Sequence, residues 1–290
     1  MTFQAIIKGT FMALTGVGGL TLGSLGLLQG WHAMQANRLW RSMKTQPSTK
    51  HFEPAMVEDL PAPAQRYLLH AIQPNARLAS SVEVTMHGAY THSADIKAPK
   101  YPFRGKRIIR AGKGFVFKVV VPGSGLQRLH ETGLAYYANQ KGYERAKYLN
   151  LIPIYFRLSD PVDITRTFLE RYITDLVLLP SALLPQPGVE WQAIDDQHAK
   201  VKITQDGQAM SLTLTIGPAG ELQEVCFDYW SAKGGAKTYQ AIPCGMQIHQ
   251  EQRFGDYTIP SSFNFIWWYN LPDREPGTIF EFELDSARFR

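Results

Sequence analysis

DPVDITRTFLERYITDLVLLPSALLPQPGVEW, residues 160–191, separates two unlike halves of the chain and reads as a helix, a proline-bracketed turn and a strand. Asp160 is a good N-cap, Pro161 suits the first helical position, and Asp163 sets a carboxylate beside the free N–H groups of the first turn. Ile164, Phe168, Tyr172, Leu176 and Leu179 recur at helical spacing, while Leu169, Ile173 and Val177 widen the apolar stripe. Arg166 with Glu170, and Arg171 with Asp175, stand four apart on the polar side, pairs worth about 0.2–0.5 kcal/mol each. Pro180 disfavours helical geometry at Leu179. The reading is a helix over 163–179 and a turn over 180–185.

Downstream the period is two. Strands are expected at 189–194 and 199–204 around Asp195-Asp196, and Asp206-Gly207 is the strongest hairpin signal in the chain. Further strands follow at 221–229, 246–254, 259–269 and 278–289, with turns at Gly217-Pro218-Ala219-Gly220 and Gly234-Gly235. Upstream, LPAPAQRYLLHAI (60–72) places Tyr67, Leu68, Ala71 and Ile72 on one side of a helix. Val82, Val84 and Met86 then alternate with polar residues. Strands at 103–110 and 115–121 flank Gly112-Lys113-Gly114, and 126–130 pairs with 134–139 about Thr132-Gly133. Residues 141–154 form a less regular segment. The fold class is α+β: a large curved antiparallel sheet of about ten strands, half-barrel-like, packed around one central helix plus an N-terminal helix.

At 290 residues, 44% hydrophobic and 12% aromatic, the chain can bury a real core, which excludes wholesale disorder. A formal charge of +5 permits contact with anionic partners without arguing for them. Residues 9–28 carry no charge and span roughly 30 Å as a helix, a bilayer's hydrocarbon thickness. Trp31 suits the interface, and no small-x-small pattern marks cleavage. The domains expected are a tail (1–8), a transmembrane anchor (9–28), a polar basic linker (29–52) and a single α+β domain (53–290). Lys8 directly before the apolar run suggests a single-pass membrane protein with its domain outside the cytoplasm. Arg38, Arg41 and Lys44 argue the other way. Cys226 and Cys244 flank Gly234-Gly235, which leaves a disulfide and two separate thiols both open.

No catalytic constellation emerges. The eight histidines lack zinc-hydrolase spacing, and Gly123-Ser124-Gly125 lacks the surroundings of a nucleophile elbow. Glu170 and Asp175 lie about 140° apart round the helix, each with its own arginine, and read as a solvated face. No catalytic residue, metal ligand or cofactor is expected. Two surfaces remain. The basic run from Lys97 to Arg128 contains Arg104, Lys106, Arg107, Arg110 and Lys113, candidates for contact with anionic lipid headgroups, although strand alternation splits them between faces. No aromatic RNA motif accompanies them, so nucleic acid is not an expected partner. The second is the store of aromatics on expected strands, Phe115, Phe117, Tyr136, Tyr137, Trp191, Phe227, Tyr229, Phe263, Phe265, Trp267 and Trp268, which either fill a solid core or border a cavity for an apolar molecule. Tyr172 and Trp191 are the first candidates for its lining.

FLERYITDLVLLPSALLPQPGVEWQAIDDQHAKVKI (168–203) resembles a bacterial domain-of-unknown-function family whose members carry a Pro-Ser/Thr-Ala-Leu-Leu-Pro turn, a Val-x-Trp strand and an Asp-Asp turn. Residues 60–72 look like that family's entry helix, and Gly255-Asp256-Tyr257-Thr258-Ile259-Pro260 like its late turn, so the likeness covers roughly 54–290. The resemblance implies a hydrophobic N-terminal segment and brings no activity. The layout is also similar to lipoprotein-carrier and lipid-binding half-barrels, at the level of fold alone. The leading expectation is non-enzymatic binding or handling of a membrane lipid, another apolar ligand or a lipidated protein at the bacterial envelope. An interaction scaffold with a solid core comes second, and an enzyme of unrecognised type third.

Overall fold

A computed structural model describes residues 30–31, 33–91, 99–122, 131–148, 152–156, 161–232, 238–271 and 277–290. The apolar run 9–28, Asp160, residues 126–130 and Gly234-Gly235 lie outside them. Among the described residues no helix is long and apolar enough to cross a membrane.

Thirteen strands form one antiparallel sheet in the order β6-β5-β4-β3-β2-β1-β13-β12-β11-β10-β9-β8-β7. The first meander comprises β1 (Ser81–Tyr90), β2 (Tyr101–Arg110), β3 (Gly114–Val121), β4 (Glu131–Ala138), β5 (Lys141–Tyr148) and β6 (Ile152–Phe156). The second comprises β7 (Val189–Ala193), β8 (His198–Gln205), β9 (Gln208–Ile216), β10 (Leu222–Ser231), β11 (Gln240–Phe254), β12 (Tyr257–Trp267) and β13 (Gly277–Phe289). The last strand returns to the first, Val82 opposite Phe289 and Tyr90 opposite Phe280, and so joins the two meanders. The edges β6 and β7 stay open, which makes a half-barrel.

Thr132 and Gly133, expected to form a turn, lie inside β4. The next turn falls at Asn139-Gln140, between the strand expected to end at 139 and the segment expected from 141, with φ of 51° and 59°. Two consecutive left-handed residues give the turn whose twist suits a two-residue hairpin, but glutamine is a rare choice there. Asp206-Gly207 makes the expected turn, with φ of 52° and 78°.

Three helices cover the sheet. Residues 33–43 form α1, so part of the expected linker is ordered. Leu39, Trp40 and Met43 lie three and four apart and pack on Ile108, Val116 and Tyr136 of the convex face. After a 3₁₀ turn (Pro54–Val57), α2 (Ala62–Ala71) buries Ala64, Tyr67, Leu68 and Ala71. The central helix α3 (Pro161–Asp175) crosses the concave face between β5 and β10. It ends four residues short of Leu179, giving way to 3₁₀ turns at Leu176–Leu178 and Pro180–Leu183; Leu179 between them has φ −134° and ψ 68°, out of the helical region that a following proline disfavours. At Gly142 the helix backbone comes so close that a Cβ would stand 2.6 Å from the Ile164 carbonyl.

The polar side of α3 is not solvated. Glu170 is buried, accepts from the Trp230 amide and from Arg166 Nε at 3.0 Å, while Trp230 Nε1 donates to Asp163 Oδ1 at 2.8 Å. Burial pushes the Glu170 carboxyl up, with those two donors pulling the other way. The Arg166–Glu170 pair therefore forms as its spacing predicts, but it fastens the helix to β10.

Candidate functional site

Alternation along β2 sends Phe103, Arg107 and Ile109 to the concave side and Arg104, Lys106 and Ile108 to the convex side. Phe103 meets Phe280 and Phe282 edge-on at 6.1 and 5.6 Å, and Phe263 stacks on Phe282 at 5.0 Å. Phe263, Phe280 and Phe282, with Tyr229, Phe265 and Trp267, form one wall of a cavity, and α3 supplies Thr167, Phe168, Arg171, Thr174 and Asp175 to the other. Its volume is about 70 Å³. The wall threonines are occupied: Thr167 Oγ1 donates to the Trp230 carbonyl at 2.7 Å, and Thr174 Oγ1 to the Glu170 carbonyl at 2.9 Å.

Arg107 and Asp175 meet inside this wall at 2.5 Å, their side chains 2% and 9% exposed. The guanidinium lies over the Phe117 and Phe282 rings at 4.6 and 5.4 Å, a cation–π sandwich in a dry setting. Arg171 stands over Phe117 and Phe280 at 5.4 and 5.6 Å. Burial pushes the Arg107 pKa down to about 10, still far above neutrality, so it keeps its charge. Burial pushes Asp175 up, against the pull of Arg107 and Arg171. Despite the ion pair, Arg107 Nε and Nη2 and Asp175 Oδ2 have no hydrogen-bond partner. Buried polar atoms are overwhelmingly paired in native proteins, so three unpartnered atoms on one ion pair single this pair out, as Arg66 Nε and Tyr67 Oη are singled out on α2.

The residues singled out from sequence fall differently. Tyr172 is 1% exposed, stacks on Tyr137 at 6.0 Å and donates to the Arg110 carbonyl at 3.1 Å, away from the cavity. Trp191, on edge strand β7, donates through Nε1 to the Leu183 carbonyl at 2.9 Å. Of the basic residues, Arg104 and Lys106 are exposed on the convex face. Arg110 Nη1 and Lys113 Nζ reach the Ser42 carbonyl at 2.7 and 3.2 Å, cations at the C-terminal end of α1 where its dipole favours them. Arg107 does not share that surface, because its position in the alternation turns it inward. Asp175 takes Arg107 as partner and leaves the nearby Arg171 to the rings. Tyr229, Phe263, Phe265 and Trp267 do line the cavity; Arg107, Asp175, Phe280 and Phe282 are the lining that the sequence reading missed.

Both cysteines are free thiols. In the register, Cys226 faces Gly245 and Phe227 faces Cys244, so the two sulfurs project from opposite faces of the sheet and cannot be bridged. Burial pushes the Cys226 thiol up to about 11 and Cys244 higher still, which leaves both as unreactive thiols at neutral pH. Among the described residues no group of three or more His, Cys, Asp or Glu side chains is placed to hold a metal ion.

The model of a family described as "Family of unknown function (DUF6544)" matches residues 50–282. No curated protein matches the sequence. Among solved structures the chain is similar to a LolA superfamily protein from Nitrosomonas europaea, at 8% identity and a TM-score of 0.39, covering 79% of this chain and 92% of that one. It is also similar to a DUF1329 family protein from Desulfovibrio piger, at 10% identity and a TM-score of 0.33, covering 73% and 86%.

Proposed function

The chain belongs to the DUF6544 family, and we propose that it binds an apolar ligand, a lipid or lipid-like molecule, in the ring-walled cavity between α3 and strands β10–β13. The observation that carries this reading is the cavity wall itself, where large rings and a buried ion pair border unfilled space. At about 70 Å³ the space is well below the roughly 300–1,000 Å³ of an occupied small-molecule pocket. On this reading the pocket widens when a ligand enters, by displacement of the half-buried rings of Phe265 and Phe280. Retention of residues 9–28 as an anchor belongs to the same proposal. It would hold the domain at the bacterial envelope, outside the cytoplasm, with Arg104 and Lys106 towards the headgroups.

The test is lipid extraction and mass spectrometry of the purified full chain, together with titration by an environment-sensitive apolar dye. The reading expects a co-purifying apolar molecule or saturable dye uptake, and weaker uptake by Ile279→Trp, whose larger side chain fills the cavity. The small volume favours one rival, a solid-cored interaction scaffold. Absence of both co-purifying ligand and dye uptake would establish that rival and sink the proposal.

A further inference from the structure

We infer that the ligand carries an uncharged hydroxyl-bearing end, as an acylglycerol does, and that this end bridges Arg107 and Asp175. The inference rests on the binding reading above and specifies its ligand class. The unpartnered atoms are two N–H donors, Nε and Nη2 of Arg107, and one acceptor, Oδ2 of Asp175. Only a group that both accepts and donates satisfies them together. A hydroxyl does so with a single oxygen, and the adjacent hydroxyls of a glycerol end supply enough for all three. A carboxylate or phosphate accepts from Arg107 but sets a second anion against Asp175 Oδ2. An ammonium donates to Asp175 but sets a cation between Arg107 and Arg171.

The charges in the wall point the same way. Arg107 and Arg171 balance Asp175 and Glu144, so the lining carries no formal net charge for a charged ligand to neutralise. In this mostly apolar wall, an unbalanced charge carries a large desolvation cost that the site does not offset. The Phe117 and Phe282 rings lie 4.6 and 5.4 Å from the guanidinium and offer it no hydrogen-bond acceptor in their planes. Its unpartnered Nε and Nη2 are reached only when the pocket widens.

The experiment displaces an apolar dye from the full chain, held in amphipol, with four ligands of matched chain: 1-monooleoylglycerol, oleate, oleylamine and 8-heptadecene. Monooleoylglycerol should compete about tenfold more tightly than each of the others, the scale of hydrogen bonds to charged groups. In the paired variant Arg107→Met with Asp175→Leu, that preference should vanish while 8-heptadecene still competes. Equal competition by all four means that the orphan atoms hold water only, and overturns the inference while leaving apolar binding intact. Tighter competition by oleate or oleylamine overturns it in favour of a charged head. A preference that survives in the paired variant overturns the assignment to Arg107 and Asp175. If no ligand displaces the dye, the cavity reading fails and the inference fails with it.

Discussion

The two ends of the concave face are built from the same strands and packed in opposite ways. At one end α2 rests on β7, β8, β9 and β12, and the Leu176–Leu178 turn lies against β12. Leu178, Leu179, Leu183, Leu212, Leu214 and Ile259 are all fully buried, and Ser181 Oγ ties the proline turn to the Ala79 carbonyl at 2.5 Å. At the other end rings and an ion pair border a void; unpartnered buried atoms occur at both ends, on Arg66 and Tyr67 of α2 as well as on Arg107 and Asp175. The rings themselves stand at ordinary aromatic spacings of 5.0 and 5.6 Å; the void lies between them and α3, where the ion pair holds its place. One end of the sheet holds the fold and the other accepts poorer packing, as binding sites do.

The contrast can be tested by substitution. The largest effect should come from Asp175→Ala, which leaves a buried guanidinium without its counter-ion and should cost about 3–5 kcal/mol. Replacing both partners, Arg107→Met with Asp175→Leu, should be neutral or stabilising in the same urea titration, because two unmatched charges leave the interior together. Next comes Leu183→Ala at the packed end, at about 2–5 kcal/mol. Phe280→Ala should cost less, below about 2 kcal/mol, since that ring is half-exposed and already borders a void. Equal costs at the two sites would mean that the ends are equally well packed.

A smaller effect concerns pH. Burial raises the Asp175 pKa, so the native state holds this proton more tightly than the unfolded chain, whose value is about 3.9. The resulting stability is fully present below that value and is lost as pH rises through the native pKa. The stability difference between the wild-type chain and the Arg107→Met/Asp175→Leu variant should therefore shift towards wild type as pH falls to about 4. A pH-independent difference would place Asp175 in an ordinary environment. The smallest effect should be Gln140→Gly, at a turn away from both ends. Relief of left-handed strain, less the entropy of glycine, should leave a gain of about 0.5 kcal/mol in a thermal melt.

Much of this architecture was legible because its signals are local. The α3 stripe, the pre-proline stop at Leu179, the alternation of Val82, Val84 and Met86, and the Asp206-Gly207 turn each depend on neighbours within a few positions. The break at Asn139-Gln140 was legible as the end of one expected strand, whereas Thr132-Gly133 was misread as a turn because glycine is also tolerated inside a strand, as it is in β4. The site was harder to find. Arg107 shares its parity with Phe103 and Ile109, a signal that it points inward, but a basic run reads as surface unless the buried face is known. Asp175 has Arg171 four residues away, so its true partner, 68 residues distant, could not compete on paper.

The sequence settled the entry and central helices, most strands and the Asp206-Gly207 turn, since backbone preference and hydrophobic period act over one or two turns of chain; helix 33–43, read as linker, was not among them. Tertiary structure decided that β13 closes against β1, that α3 crosses the concave face, and that residues 160–191 end in packed leucines while the helix before them borders a void. It also set Arg107 against Asp175. Those outcomes depend on which distant surfaces exclude water together, a property of the assembled sheet that no local spacing encodes.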